Sequence, residues 1–275
     1  MPYVTVGREN TGDIQIHYED HGVGAPVVLV HGYLADAYSW EKQEAALLAA
    51  GYRVISYDRR GGGASSRPST GYDYDTLAAD LNKLLQVLDL HDAVLVGVGA
   101  GTGEVTRYLG VYGQDVVRGA VLLAPLLPHS PATPDGISLL GLDDFLSQLA
   151  TDRPAAIKTY LDQYYNLDLL GGSVVSDQAW QSSFHTALRV SPAAARGCAV
   201  AWREDFCADV ARITVPVLIV QGDHDRITPP AAAGDRLAAL LADARHTVIP
   251  QGGHAITWTH PNDVNRALLD FLGAL

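Results

Sequence analysis

Two cysteines and a single methionine in 275 residues leave little material for sulfur chemistry. Cys198 and Cys207 lack CxxC spacing and are too few to build a disulfide framework, which points to a reducing compartment. Positive charge is also scarce. Nineteen Lys and Arg stand against 31 Asp and Glu, giving a net charge of −12, and no basic run exceeds the pair Arg59-Arg60. Such a chain is poorly matched to nucleic acid or to an anionic membrane surface, so neither is expected as a partner. No apolar stretch is long enough to cross a bilayer, and Met1-Pro2-Tyr3-Val4-Thr5-Val6 runs straight into strand-like alternation without an apolar signal region. A cytoplasmic location is the expectation.

What is present is apolar material in a regular rhythm. With 48% hydrophobic residues the chain can bury one substantial core. Tyr3–Val6 and Ile14–Glu19 alternate with period two and suit an antiparallel edge. Short, nearly continuous apolar runs follow at Pro26–Val30, Tyr52–Tyr57, Ala93–Gly97, Ala120–Ala124, Val217–Gln221 and His246–Ile249. Runs of that kind are strands buried on both faces. Helical patterns lie between them, at Trp40–Ala50, Tyr74–Leu88, Glu104–Tyr112, Pro230–Ala242 and Pro261–Leu272, with Asp75 and His260-Pro261 as start signals. This predicts an α/β fold with a mostly parallel central sheet flanked by helices. Residues 126–210 break the rhythm: Pro125, Pro128, Pro131 and Pro134 cluster, and helical patterns follow at Leu139–Leu149, Pro154–Leu161 and Ser176–Leu188. The prediction is a core of residues 1–125 and 211–275, with residues 126–210 inserted as a helical cap.

Five polar or glycine-rich elements each follow a predicted strand: His31-Gly32-Tyr33, Asp58-Arg59-Arg60-Gly61, Gly97–Gly103, Gly222-Asp223-His224-Asp225-Arg226 and Gly252-Gly253-His254. The carboxyl edge of a parallel sheet is where α/β proteins place ligands. The Gly97–Gly103 segment has the frame of a G-x-S-x-G strand-to-helix turn, with Gly99 where serine is expected. A dinucleotide fingerprint from Gly97 fails, because strict G-x-G-x-x-G spacing meets Thr102 and because that motif belongs to the first βαβ unit.

Taken together, Tyr18-Glu19-Asp20-His21-Gly22, Gly71-Tyr72-Asp73-Tyr74-Asp75, Gly103-Glu104-Val105 with Arg107-Tyr108, Tyr164-Tyr165-Asn166-Leu167-Asp168 and Trp258-Thr259-His260-Pro261 closely resemble the bacterial cofactor-free (non-haem) haloperoxidase and esterase group of the α/β-hydrolase superfamily. The resemblance spans nearly the whole chain. It implies the α/β-hydrolase fold, Asp225 as triad acid, His254 as base, and the backbone N–H groups of Tyr33 and Ala100 as oxyanion hole. It implies no cofactor and no metal. At the nucleophile position the pattern fails, since Gly99 stands there.

A base oriented by a carboxylate, with two donors facing a developing oxyanion but no nucleophile, suits proton abstraction beside a carbonyl. The expectation is therefore a cofactor-independent lyase or cyclase acting through His254 and Asp225 on a small, largely apolar carbonyl compound. An esterase or perhydrolase of the haloperoxidase group in a Ser-to-Gly form is the alternative, and a catalytically silent binding protein the second. His31, Trp180, Phe184 and Tyr164 are the expected pocket residues, with His31 also suited to holding its loop. Arg59-Arg60 reads as a loop element ahead of an anion site, and self-association is left open.

Overall fold

The computed structural model describes residues 2–126, 128, 141–170 and 174–275. Pro131, Pro134 and the start of the predicted Leu139–Leu149 helix lie outside them. Eight strands form one sheet in the order β1-β2-β4-β3-β5-β6-β7-β8. They are β1 (Tyr3–Glu9), β2 (Gly12–His21), β3 (Pro26–Val30), β4 (Arg53–Tyr57), β5 (Ala93–Val98), β6 (Val117–Leu123), β7 (Val217–Gly222) and β8 (Ala244–Ile249). β2 runs antiparallel to both β1 and β4, while β3 to β8 are parallel. The alternating N-terminal runs are thus the antiparallel edge, as their polar-out pattern predicts.

The continuous apolar runs still alternate in where they point. Val28, Val30, Ile55 and Leu95 face one core cluster, whereas Val27, Leu29, Val54, Val94 and Val96 face another. Successive side chains on a strand point to opposite faces, so a run apolar at every position needs helices on both. On the first face lie α2 (Tyr74–Val87), α3 (Ala100–Val111), α9 (Cys207–Val210) and α10 (Gly234–Leu240); on the second lie α1 (Glu41–Ala49), α11 (Ile256–Thr259) and α12 (Pro261–Leu272). α12 buries Val264, Leu268, Phe271 and Leu272, the i, i+4, i+7, i+8 stripe of an amphipathic helix. Its Pro261 occupies the first turn, where a missing N–H costs nothing.

Three boundaries differ from the sequence pattern. Asp73, not Asp75, caps α2, its side chain accepting from the Thr76 N–H at 2.8 Å, while Asp75 turns outward to pair with Arg107. α3 begins at Ala100 instead of Glu104, because the turn at Gly99 delivers the chain directly into helical conformation. α10 is shorter than the predicted Pro230–Ala242, since the turn after Pro229-Pro230 delays helix entry.

Between β6 and β7 lie α4 (Leu142–Thr151), α5 (Arg153–Tyr164), α6 (Leu167–Leu170), α7 (Asp177–Arg189) and α8 (Pro192–Ala201). Their apolar faces join Tyr33, Ala100 and Ala255 of the sheet edge in a third cluster. Phe206 and Val210, further along, pack into the first sheet-face cluster with Tyr74. Cys198 and Cys207 are free thiols. Among the described residues no helix is long and apolar enough to cross a membrane.

Candidate active site

The strand ends bring four of the five predicted segments to one place. Gly99 separates β5 from α3 with φ 51° and ψ −119°, a left-handed conformation that side chains with a Cβ rarely adopt. The turn is clamped from several sides. Its N–H donates to Leu123 O at 2.9 Å, and its carbonyl accepts from the Thr102 N–H at 3.0 Å and the Thr102 hydroxyl at 2.7 Å. That hydroxyl in turn accepts from the Leu126 N–H at 2.9 Å, tying the turn to the chain leaving β6. Two residues on, Gly101 allows close approach: a Cβ there would lie 2.2 Å from Val30 O.

Asp225 and His254 follow β7 and β8 and meet in the interior, each 3% exposed. His254 Nδ1 lies 2.8 Å from Asp225 Oδ2. The same oxygen accepts from Gln221 Nε2 at 2.9 Å and the Thr228 hydroxyl at 3.0 Å, while Oδ1 accepts from the N–H groups of Ile227 and Thr228, both at 2.9 Å. Five donors around one carboxylate hold it in one orientation. The imidazole consequently keeps its proton on Nδ1 and presents the Nε2 lone pair outward. Nε2 has no hydrogen-bond partner among the described residues, and His254 borders the cavity. A Cβ built on Gly99 would lie 2.8 Å from Nε2, closer than real Cβ contacts, so the imidazole sits further toward the turn than a side chain at 99 permits. Tyr164 supports its ring edge-to-face at a centroid distance of 5.4 Å.

Tyr33 and Ala100 border the same cavity. Ala100 opens α3, so its N–H has no intrahelical acceptor and lies at the positive end of the helix dipole. Neither N–H donates to a main-chain oxygen among the described residues. His31 holds the loop that carries Tyr33. Its Nδ1 is 2.8 Å from Gly32 O and its Nε2 accepts from the Arg59 N–H at 3.0 Å, with burial, aided by the Arg59 charge, pushing its pKa down to about 4. Arg59 pairs with Glu104 at 2.7 Å, and Arg60 bonds Asp80 twice at 2.6 Å. Both guanidiniums are buried structural partners of the loop after β4 and are occupied by carboxylates.

A cavity of about 540 Å³ opens over Ala100 and His254. Its wall is not the one expected. Tyr33, Phe145, Tyr160 and Trp202 form it, with ring centroids 4.7 to 6.4 Å apart. Trp180 and Phe184 stack on each other at 5.1 Å, packed against the helical cluster and away from the cavity lining. His31 is likewise off the lining, spent on its loop, and Tyr164 reaches His254 but not the cavity wall. Sequence reasoning missed Phe145, Tyr160 and Trp202 because nothing in an amphipathic helix marks which apolar side meets a ligand. Gln221 and Thr228 were also missed. The Asp225-Arg226-Ile227-Thr228 spacing, an Asx-type turn, is the signal that would have pointed to Thr228. No cluster of residues among those described could hold a metal ion.

A family model described as alpha/beta hydrolase fold matches residues 25–261. A Synechocystis sp. protein with a provisional non-heme chloroperoxidase name is 49% identical over 99% of this chain and 100% of its own. A non-heme chloroperoxidase of Streptomyces lividans is 37% identical over 97% and 99% of the two chains. The crystal structure of a bromoperoxidase from Bacillus anthracis superposes with a TM-score of 0.94 at 35% identity, covering 99% of each chain. These relatives overturn the expectation of a lyase or cyclase. They carry chloroperoxidase and bromoperoxidase names, and are joined by an Acinetobacter calcoaceticus protein named a bifunctional esterase/perhydrolase, 30% identical over 99% of both chains. The physical reason is plain: an anchored imidazole and two free N–H groups serve acyl transfer as well as enolate formation, so they do not single out elimination.

Proposed function

The chain belongs to the alpha/beta hydrolase family, and from that premise we propose that it is a hydrolase of esterase/perhydrolase type in which Gly99 occupies the nucleophile position and water attacks directly. The observation that carries this reading is the outward-facing Nε2 of a carboxylate-anchored His254 beside a turn that has no side chain. In the proposed step Nε2 takes a proton from water as the oxygen adds to the ester carbonyl. The N–H groups of Tyr33 and Ala100 receive the oxyanion. Collapse of the tetrahedral adduct breaks the bond to the leaving oxygen, and the imidazolium returns its proton there, releasing acid and alcohol.

The two contributions supply about 10²–10⁴-fold and about 10²–10³-fold, so turnover is slower than through an acyl-enzyme but well above background. The helices of residues 126–210 are proposed as the cap that sets the substrate, a small uncharged carbonyl compound. The test is pre-steady-state hydrolysis of 4-nitrophenyl acetate with fluorophosphonate labelling alongside. A linear time course and no label are expected. Gly99→Ser should bring both a burst and labelling, once His254 retreats by a few tenths of an ångström. A burst or label on the unmodified chain, or hydrolysis no faster than buffer, overturns the reading.

A further inference from the structure

The charges at the cavity mouth do not balance. Among the described residues Arg226 is the one Lys or Arg side chain on the lining, and its charge is already answered: Nη1 and Nη2 bind the Asp168 carboxylate at 3.0 and 2.7 Å, and Nε donates to Asn166 Oδ1 at 3.1 Å. Asp144 stands on the same lining, in the first turn of α4, with no cationic partner among the described residues. Arg203, in the chain after α8, is taken by the neighbouring Asp143. The sequence leading into this wall cannot correct the imbalance, because no Lys or Arg occurs between Arg118 and Arg153, a stretch that carries Asp135, Asp143, Asp144 and Asp152. Deeper in, burial raises the Tyr33 and Tyr160 phenols well above their ordinary range, so the aromatic wall is uncharged.

We propose that the cavity selects neutral or cationic aromatic carbonyl compounds and rejects those whose far end is anionic, with Asp144 as the residue that sets the sign. This rests on the hydrolase reading of the same site, in that the carbonyl end is placed at the Tyr33 and Ala100 N–H groups. An aromatic ring so held lies among Phe145, Tyr160 and Trp202, and its para substituent points to the mouth. A cationic group there gains from the Asp144 carboxylate and the aromatic faces together; an anionic one meets an unpaired carboxylate and a cation already neutralised.

The probes are three ketones of one scaffold, which bind but cannot be hydrolysed: 4′-tert-butylacetophenone, its isostere 4-acetyl-N,N,N-trimethylanilinium, and 4-acetylbenzoate. Calorimetry at pH 8 and low ionic strength should rank the cation above the tert-butyl ketone and the benzoate last. The outer two should differ by about tenfold or more, the size of a unit-charge interaction across roughly 6 Å in a half-solvated site. Asp144→Asn should reduce that ratio about threefold or more and leave the tert-butyl ketone unchanged, and 0.5 M salt should compress it as well. Benzoate binding as tightly as the neutral ketone, an unaltered ratio in Asp144→Asn, or no binding by any of the three at millimolar concentration each overturns the proposal. Because no ketone is turned over, these outcomes stand apart from failure of the hydrolytic step, which the 4-nitrophenyl acetate assay reads.

Discussion

The floor and the roof of the cleft are built on different physical terms. The floor comes from residues within a few positions of a strand end, so main-chain pairing of β3, β5, β7 and β8 fixes Tyr33, Gly99, Asp225 and His254 against each other. Polar bonds then lock the last degrees of freedom, five of them on Asp225 alone. The roof comes from α4, α5 and the chain after α8, and it is held by ring packing in which each aromatic serves equally as core and as wall. On the proposed reading, chemistry is written into strand register, and selection into helix faces.

The sharpest way to break this comparison is to remove the base. His254→Ala should lower hydrolysis of 4-nitrophenyl acetate by at least about 10²-fold with KM within a few-fold, since the imidazole acts in the transition state and not in binding. Asp225→Asn should follow it down, because the imidazole loses both its orientation and the charge that stabilises its protonated form. Steady-state kinetics on both variants decide the point; unchanged kcat in either removes the pair from the mechanism.

Next in size is a contrast between two glycines. Gly101→Ala places a methyl 2.2 Å from Val30 O and 2.8 Å from His31 O, main-chain atoms that cannot step aside, and should cost about 3 kcal/mol or more in urea unfolding. Gly141→Ala in the roof meets nothing within 4 Å among the described residues and carries the strain of its φ of +89°, about 1 kcal/mol. Equal losses would erase the proposed difference in rigidity.

That contrast also explains what was legible beforehand. Strand runs, their order and the residues after each strand could be read because period, β-branching and glycine spacing have few other uses. The segments that carry Tyr33, Gly99, Asp225 and His254 could be placed at one sheet edge for the same reason. The roof could not, because Trp180 and Phe184 satisfy every pattern that Trp202 and Phe145 satisfy, and only the tilt of their helices decides which pair meets the cavity. His31 was expected both on the pocket and as a support of its loop, and only the second role matches its bonds. It sits between two site elements, yet both its ring nitrogens are consumed by its own loop and the Arg59 N–H.

His31 supplies the third prediction, one of pH. Its pKa falls from the ordinary 6.5 to about 4 on folding, chiefly through burial, so below pH 6.5 the unfolded chain binds the proton that the folded chain refuses. The associated stability is fully present above 6.5 and is lost as pH falls toward 4. Between pH 7 and pH 5 the protein should lose about 2 kcal/mol from this group. Urea titrations at both pH values should show that loss shrinking in His31→Gln, which has no proton to take up; an equal loss in the variant would place the pH sensitivity elsewhere.

The smallest effect separates two tryptophans within the roof itself. Trp202 meets Tyr33 at 4.7 Å and stacks with Phe145 at 6.1 Å on the cavity wall, while Trp180 stacks with Phe184 at 5.1 Å behind it. Both are partly buried against the same cluster, so both truncations remove packing and should lower stability by comparable amounts, about 3 kcal/mol. Their kinetic signatures should differ. Trp202→Ala takes away a ring that a bound aromatic acyl group would touch in ground state and transition state alike, which raises KM by about tenfold and leaves kcat within about threefold. Trp180→Ala should shift neither constant by more than about twofold. Trp202→Phe, which keeps a ring on the wall, should recover most of the lost KM. If Trp180→Ala raised KM as much as Trp202→Ala, or if Trp202→Phe recovered nothing, selection would belong to the integrity of the helical layer as a whole and not to the face it turns toward His254.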